Sequence, residues 1–520
     1  MREIALIPFP RRLVRKTGEF RLLPGCRLAA ASPEAEEAAM LLAEYLRPAT
    51  GFPLPVVMSP AQAGDISLEE HGNFQTDEDG FCRESYRIAV SSRNILMYAE
   101  NRDGLCRAIQ TLRQLLPAEI YGSVPVPGMV WDVPALELED SPEYRWRGLH
   151  LDVGRYFFPE YEICRYIELL AQHKFNLFHW HLTDDQGWRL EIRRYPRLTE
   201  VGAWRSETVI GHDGHDNDRP CRYDGIPHGG FYSQEAVRRI IAFAAQRGVT
   251  VMPEIDMPGH VQAAVAAYPE LGNYPCAPVK VAARWGVSSH VLNAEPATFA
   301  FMKDVLSEVL ELFPSKYIHV GGDEVCRKEW EDNPLIRLRM QELNCPDFDA
   351  LQGVFTREMS EYLTAEGRSL IGWDEIIRCG LPPGAAVMKA GRIVPEQSGF
   401  KMVSADNTRT YLDYYQSNPA VEPLAFGGWL PCELAYDFHP APPALDATQR
   451  RWILGGQGQV WTEYMPDFRQ VEYMAWPRAC ALGEKLWCAD ECCDFTDFRR
   501  RLPLHRRRLD AQQVNAHPLP

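Results

Sequence analysis

The segment HVGGDEV, residues 319–325, sets two adjacent carboxylates, Asp323 and Glu324, after a run of strand formers and two glycines. Small residues there let a ligand approach the backbone closely. Neighbouring carboxylates drawn into a cleft repel, so one keeps its proton near neutral pH and is available as a general acid. The plain alternative is a loop that opens with two solvated acids. Other apolar runs also end in acids: Asp184 and Asp185, Glu254 and Asp256, Asp374 and Glu375, and Glu463. Trp373 and Trp461 stand beside them. Aromatic faces next to carboxylates suit a pyranose, with its apolar C–H face and hydroxyl edge, although each Trp alone would also serve as core. His179 and His181 place two imidazoles on one strand face, the spacing of a metal pair. Packing within the fold against its acids is the alternative, and with no third and fourth ligand apparent, neither metal nor cofactor is expected. His260, in DMPGH (256–260), follows a strand and can either pair with a carboxylate such as Asp184 or cap a turn. The run HDGHD (212–216) falls in a loop and reads as solvated.

Eight short apolar runs carry these residues: 148–155, 176–185, 249–256, 317–324, 368–376, 385–390, 401–406 and 452–461. Amphipathic helical stretches such as 159–174 alternate with them, which predicts an α/β fold built on a (β/α)8 TIM barrel with the chemistry at the strand ends. Ahead of it, residues 35–46 and 103–116 read as helices and 85–100 as a strand pair, a small α/β domain. Pro and Gly punctuation over 121–146 puts the boundary near Ser141, giving domains 1–141 and 142–520. Connections 206–230 and 271–292 exceed ordinary loop length and are expected to shape the pocket mouth.

The 520 residues include 55 basic and 71 acidic side chains, a net charge of −16, which disfavours nucleic acid or an anionic membrane as partner. No apolar run is long enough to span a bilayer, and residues 1–20 lack a signal-peptide core, so a cytoplasmic location is expected unless a leader has been removed. The 14 cysteines include no CxxC pair and read as reduced core thiols. Oligomeric state is left open by these features.

RGLHLDVGRYFF (147–158), KFNLFHWHLTDDQGWR (174–189), PEIDMPGH (253–260), YIHVGGDE (317–324), GWDE (372–375), GQVWTEY (458–464) and WPRACALGEKLW (476–487) together resemble glycoside hydrolase family 20. The likeness extends over essentially the whole chain. It implies an exo-acting β-N-acetylhexosaminidase releasing terminal GlcNAc, with GalNAc as a further substrate, by a retaining, substrate-assisted route. By resemblance, Glu324 is the acid/base and Asp323 orients the 2-acetamido group. Arg155, Asp413 and Glu463 hold ring hydroxyls, Tyr411 bonds the acetamido carbonyl, Trp373 and Trp461 wall the pocket, and Asp184 with His260 supports Glu324. One departure stands out: VMKAGR puts Ala390 where the family usually has a tryptophan, with Trp429 and Met388 as substitutes for that wall. The alternatives are a relative that releases a disaccharide or a charged hexosamine, a metal-dependent barrel amidohydrolase built on His179 and His181, and a catalytically silent sugar-binding protein.

Overall fold

The computed structural model describes residues 3–70, 76–212, 221–394 and 399–519. The N-terminal part is a seven-stranded mixed sheet ordered Arg12–Arg21, Asp132–Asp140, Tyr86–Val90, Ile95–Ala99, Ile66–Glu70, Leu28–Ala30, Val56–Val57. Helices Pro33–Thr50 and Arg102–Leu115 cover it, capped by Ser32 on the Ala35 N–H and by Asn101 on the Gly104 N–H. Only the Tyr86–Val90 and Ile95–Ala99 pair was read from sequence; the other five strands escaped it, two of them long. Arg12–Arg21 is an exposed edge with almost no buried face, and Asp132–Asp140 carries Pro134 and four acids inside the stretch read as a punctuated exit. Arg12–Arg21 shows no apolar alternation, whereas Leu136-Glu137-Leu138-Glu139 does alternate but sits beside Pro134 in a stretch read for its punctuation.

Eight parallel strands close the barrel: β1 (Trp146–Asp152), β2 (Leu177–His181), β3 (Thr250–Glu254), β4 (Tyr317–His319), β5 (Ser369–Trp373), β6 (Ala386–Lys389), β7 (Met402–Ser404) and β8 (Ile453–Gly458). All eight coincide with the apolar runs read from sequence. Such strands are buried on both faces, which is why they read as continuous apolar runs rather than alternations. Trp146, Leu177, Met252, Tyr317, Ile371, Met388 and Leu454 fill part of the interior as an apolar cluster. His150, His179, His181, Glu254 and His319 form a buried polar layer within the barrel. Among the described residues no helix is long and apolar enough to cross a membrane.

The two parts are bound by buried charge. Glu84 accepts from Arg107 and from Arg147 of β1, and Lys174 reaches Asp140 and the Tyr86 hydroxyl at 2.8 Å each. Helix Phe495–Ala511 returns to the N-terminal part, where Arg508 donates to the Ala5 carbonyl. All 14 cysteines are free thiols; Cys276 and Cys492 are exposed, which corrects the reading of all of them as core residues.

Candidate active site

Beyond β4 the backbone turns through Gly321 (φ 63°) and Gly322 (φ 90°). A Cβ on Gly321 would lie 1.8 Å from Asp256 Oδ1, so a side chain is excluded there. Asp256 Oδ1 accepts the Gly322 N–H and fixes the turn. This geometry delivers Asp323 and Glu324 to different surroundings. The Asp323 side chain is only 20% exposed, whereas Glu324 is 53% exposed. Burial, with the like charges of Glu254 and Glu324, pushes the Asp323 carboxyl up to about 7 against the pull of His260. Glu324 moves the other way, below the usual carboxylate range, because His260 bonds its charged form. One of the adjacent acids thus keeps its proton, as the spacing suggests, but in the free protein it is Asp323. The physical reason is that Glu324 faces water and a cation.

That cation is His260. Its Nε2 lies 3.3 Å from Glu324 Oε2, and its Nδ1 lies 3.4 Å from Asp184 Oδ1 and 3.3 Å from Asp185 Oδ2. Burial would strip its proton, yet these carboxylates hold its pKa well above the imidazole value. Asp184 is in turn buried but kept well below the ordinary carboxylate range by Arg155 and His260. The structure therefore brings Asp184, His260 and Glu324 into one line, with a proton held beside Glu324.

Arg155 anchors the opposite end. Its guanidinium reaches Asp184 at 3.0 Å, Asp152 at 3.3 Å and Glu463 at 3.9 Å, and lies 5.1 Å from the Trp461 ring centroid. Asp413 and Glu463 sit nearby, each buried with one oxygen unbonded and each raised in pKa by burial first. Unbonded buried oxygens backed by a buried arginine are ready acceptors for ligand hydroxyls. Replacing Arg155 with Met is expected to destabilise the fold by about 3–5 kcal/mol, because it leaves buried carboxylates uncompensated. Denaturant unfolding monitored by Trp fluorescence measures this.

Trp373 and Trp461 form a corner, with centroids 5.8 Å apart and planes at 41°. Glu254 holds the first by accepting its indole N–H at 2.9 Å, while His150 packs 4.3 Å from the second. Tyr411, Asp413 and Ala390 line the same cleft, so all the predicted site residues gather at the strand ends. Asp184 and His260 lie behind the cleft wall rather than on it. Neither substitute for the missing tryptophan serves. Met388 is fully buried inside the barrel, taking a Gln457 amide at 3.3 Å, and Trp429 is 60% exposed and is not among the residues that line the cleft. The wall at that point is the Ala390 methyl, with its backbone N–H on Asp374 Oδ1.

The cleft occupies about 1680 Å³. Its outer wall is supplied by 209–212, 221–222 and 282–290, the long connections expected at the mouth. Gln186 ties them to the floor: its Oε1 accepts from Arg155 Nε at 3.1 Å and its Nε2 donates to the Arg284 carbonyl at 2.9 Å. Sequence reasoning missed Gln186, although it directly follows the Asp184–Asp185 pair; Phe426 and Trp285 were missed because their loops carry no periodicity. His212 lines the cleft, while the rest of HDGHD, 213–216, lies outside the described residues.

His179 and His181 serve the floor. His181 uses both nitrogens, on Glu254 at 2.6 Å and Asp184 at 2.9 Å, and neither imidazole lines the cleft. His179 Nδ1 faces the Gln457 amide at 2.8 Å, and burial lowers its pKa to about 4. A second buried group, His173, Cys480 and His505, is also bonded internally. The His173 Nδ1–H donates to the Leu169 carbonyl at 2.7 Å, leaving Nε2 to accept from His505 Nε2–H at 2.9 Å. His505 Nδ1 then accepts from Arg508 at 3.3 Å. A cation on these nitrogens would displace that proton order and sit beside a guanidinium.

Comparison with known proteins gives the family and supports the fold. Residues 144–490 match the model for the catalytic domain of glycosyl hydrolase family 20, and residues 3–141 match domain 2 of that family. A beta-hexosaminidase of Porphyromonas gingivalis is 37% identical over 99% of the chain, which spans 65% of that relative's length. The GH20 beta-N-acetylhexosaminidase from Streptomyces coelicolor superposes with a TM-score of 0.84 at 30% identity, covering 99% of this chain and 98% of that one. The GH20 exo beta-N-acetylglucosaminidase from Vibrio harveyi, solved with N-acetylglucosamine, gives 0.83 at 31%, covering 99% and 78%.

Proposed function

The chain belongs to glycosyl hydrolase family 20, and on that premise we propose that it is an exo-acting β-N-acetylhexosaminidase. Its substrates are terminal non-reducing β-linked GlcNAc, and GalNAc, on glycans or chitin fragments. The observation that carries the reading is the unequal pair at the end of β4. Asp323 is buried with Oδ1 unbonded, in the same cleft as the indole corner, and Glu324 faces the open cleft beside a stored proton.

Two adjacent carboxylates on one strand end cannot readily flank both faces of a glycosidic bond, as an acid and a protein nucleophile must. They can serve the leaving oxygen and the 2-acetamido group. Arg155, Asp413 and Glu463 fix the ring through its hydroxyls, and Tyr411 and the two indoles align the acetamido carbonyl with C1. As the C1–O bond breaks, the carbonyl oxygen bonds to C1, Glu324 gives its proton to the leaving oxygen, and Asp323 accepts the amide N–H whose nitrogen becomes positive. Glu324, now anionic, takes a proton from water, whose oxygen opens the oxazoline at C1. The product keeps the β configuration. His260 supplies the starting proton: substrate displaces water from Glu324, and desolvation then favours the neutral carboxyl over the ion pair.

The test compares aryl β-N-acetylglucosaminide, β-N-acetylgalactosaminide and β-glucoside, with and without EDTA. Turnover confined to the two acetamido sugars and unchanged by chelator is expected. Loss of turnover in EDTA would favour the metal-dependent reading, and no turnover on any of the three would favour a sugar-binding role or an extended substrate.

A further inference from the structure

Glu324 has a left-handed backbone, φ 50°, although it carries a side chain. Few non-glycine residues adopt that region, and those that do are held there by their surroundings. The element after β5 supplies the hold. Residues Asp374–Ile377 form a short 3-10 turn, from which the Glu375 carboxylate reaches across and accepts the Glu324 N–H at 3.0 Å. Glu375 is itself pinned by Arg378, whose Nη2 donates to its other oxygen at 2.6 Å. Its neighbour Asp374 points the other way, bonded to Lys389 at 2.5 Å and to the Ala390 N–H at 3.0 Å. The two acids of GWDE therefore tie β5 to β6 on one side and to the catalytic turn after β4 on the other.

Building on the glycosidase reading, we propose that Glu375 is a positioning residue that sets the aim of Glu324 by holding its backbone N–H. The Glu324 side chain is more than half exposed, so its own contacts fix it little beyond His260. The direction in which its carboxyl leaves the backbone follows from φ, which the Glu375 bond restrains. Loss of that bond lets the acid swing away from the leaving oxygen while the ring and acetamido contacts stay intact. An aglycone contact by Glu375, which also borders the cleft, is the competing role.

The experiment measures kcat and KM of wild type, Glu375→Ala and Glu375→Gln on diacetylchitobiose, whose leaving alcohol needs a proton, and on 2,4-dinitrophenyl β-N-acetylglucosaminide, whose leaving phenolate does not. For Glu375→Ala, kcat on diacetylchitobiose should fall about tenfold or more with KM little changed, whereas pre-steady-state release of dinitrophenolate, which precedes the water step that also uses Glu324, should slow by no more than about threefold. Glu375→Gln keeps an oxygen for the Glu324 N–H, though it gives up the bond from Arg378, and should recover most of the loss on both. Equal losses on the two substrates, a change confined to KM, or a Gln variant as impaired as Ala would overturn the proposal. Wild-type protein inert on both substrates would instead overturn the glycosidase reading on which it rests.

Discussion

Glu324→Gln is expected to lower kcat/KM on diacetylchitobiose by about 10²–10⁴-fold, the range in which a positioned general acid contributes. Gln preserves the shape of the side chain but has no proton to give the leaving oxygen and cannot take one from water. The adjoining ion pair sharpens the expectation. His260 is held protonated by Asp184 and Asp185, and of the two cleft carboxylates its Nε2 faces, Glu324 at 3.3 Å is nearer than Asp323 at 3.8 Å. With Gln there, the stored proton loses the carboxylate that would hand it to the leaving oxygen. A dinitrophenyl aglycone should be affected much less in the step that breaks the glycosidic bond, which pre-steady-state release of the phenolate measures. Equal losses for both leaving groups would remove Glu324 from the acid role.

Asp323→Asn is expected to cost about 10²–10³-fold in kcat, the effect of losing one group aimed at charge that develops in the transition state. The same variant carries a pH signature. In the free protein Asp323 titrates at about 7, so it is increasingly ionised, and able to accept the amide N–H with full charge, as pH rises through neutrality. Wild-type kcat/KM should therefore fall on the acid side of about pH 7, and the residual activity of the Asn variant should lack that limb. Stability follows with the opposite sense. The unfolded chain loses this proton near pH 4 and the folded one near 7, so the folded state binds more protons in between and wild type loses stability as pH rises across that window. The Asn variant should match wild type at pH 4 and exceed it in unfolding free energy at pH 8 by an amount on the order of a few kcal/mol, seen as a higher Tm. A wild-type Tm advantage at pH 8 would contradict the assigned environment.

The barrel was legible because each of its strands is buried on both faces, leaving dense apolar runs such as VTVMPEID and YIHVGGDE that polar or edge strands do not leave. Among the N-terminal strands that were missed, Arg12–Arg21 was hidden for the converse reason, since it exposes nearly every side chain. Within the site, residue type and position at a strand end found Asp323, Glu324, Trp373 and Glu463. What sequence could not give was which acid keeps its proton, since that depends on a 3.3 Å contact from His260, a residue contributed by a different βα loop. Nor could it show that neither Met388 nor Trp429 fills the place beside Ala390, because only packing reveals Met388 turned inward and Trp429 outward. Gln186 carries no signal of its own, and Glu375 shows in the sequence only as one of several strand-end acids; the importance of each comes from what it holds.

The measurement that bears most directly on the account is kcat/KM for a series of aryl β-glucosaminides bearing N-acetyl, N-fluoroacetyl, N-difluoroacetyl and N-trifluoroacetyl groups. Each fluorine withdraws electron density from the carbonyl oxygen. If that oxygen is the nucleophile, the rate must fall steeply and in order along the series while the aglycone stays the same. A flat series would place the nucleophile on the protein and contradict the division of labour between Asp323 and Glu324.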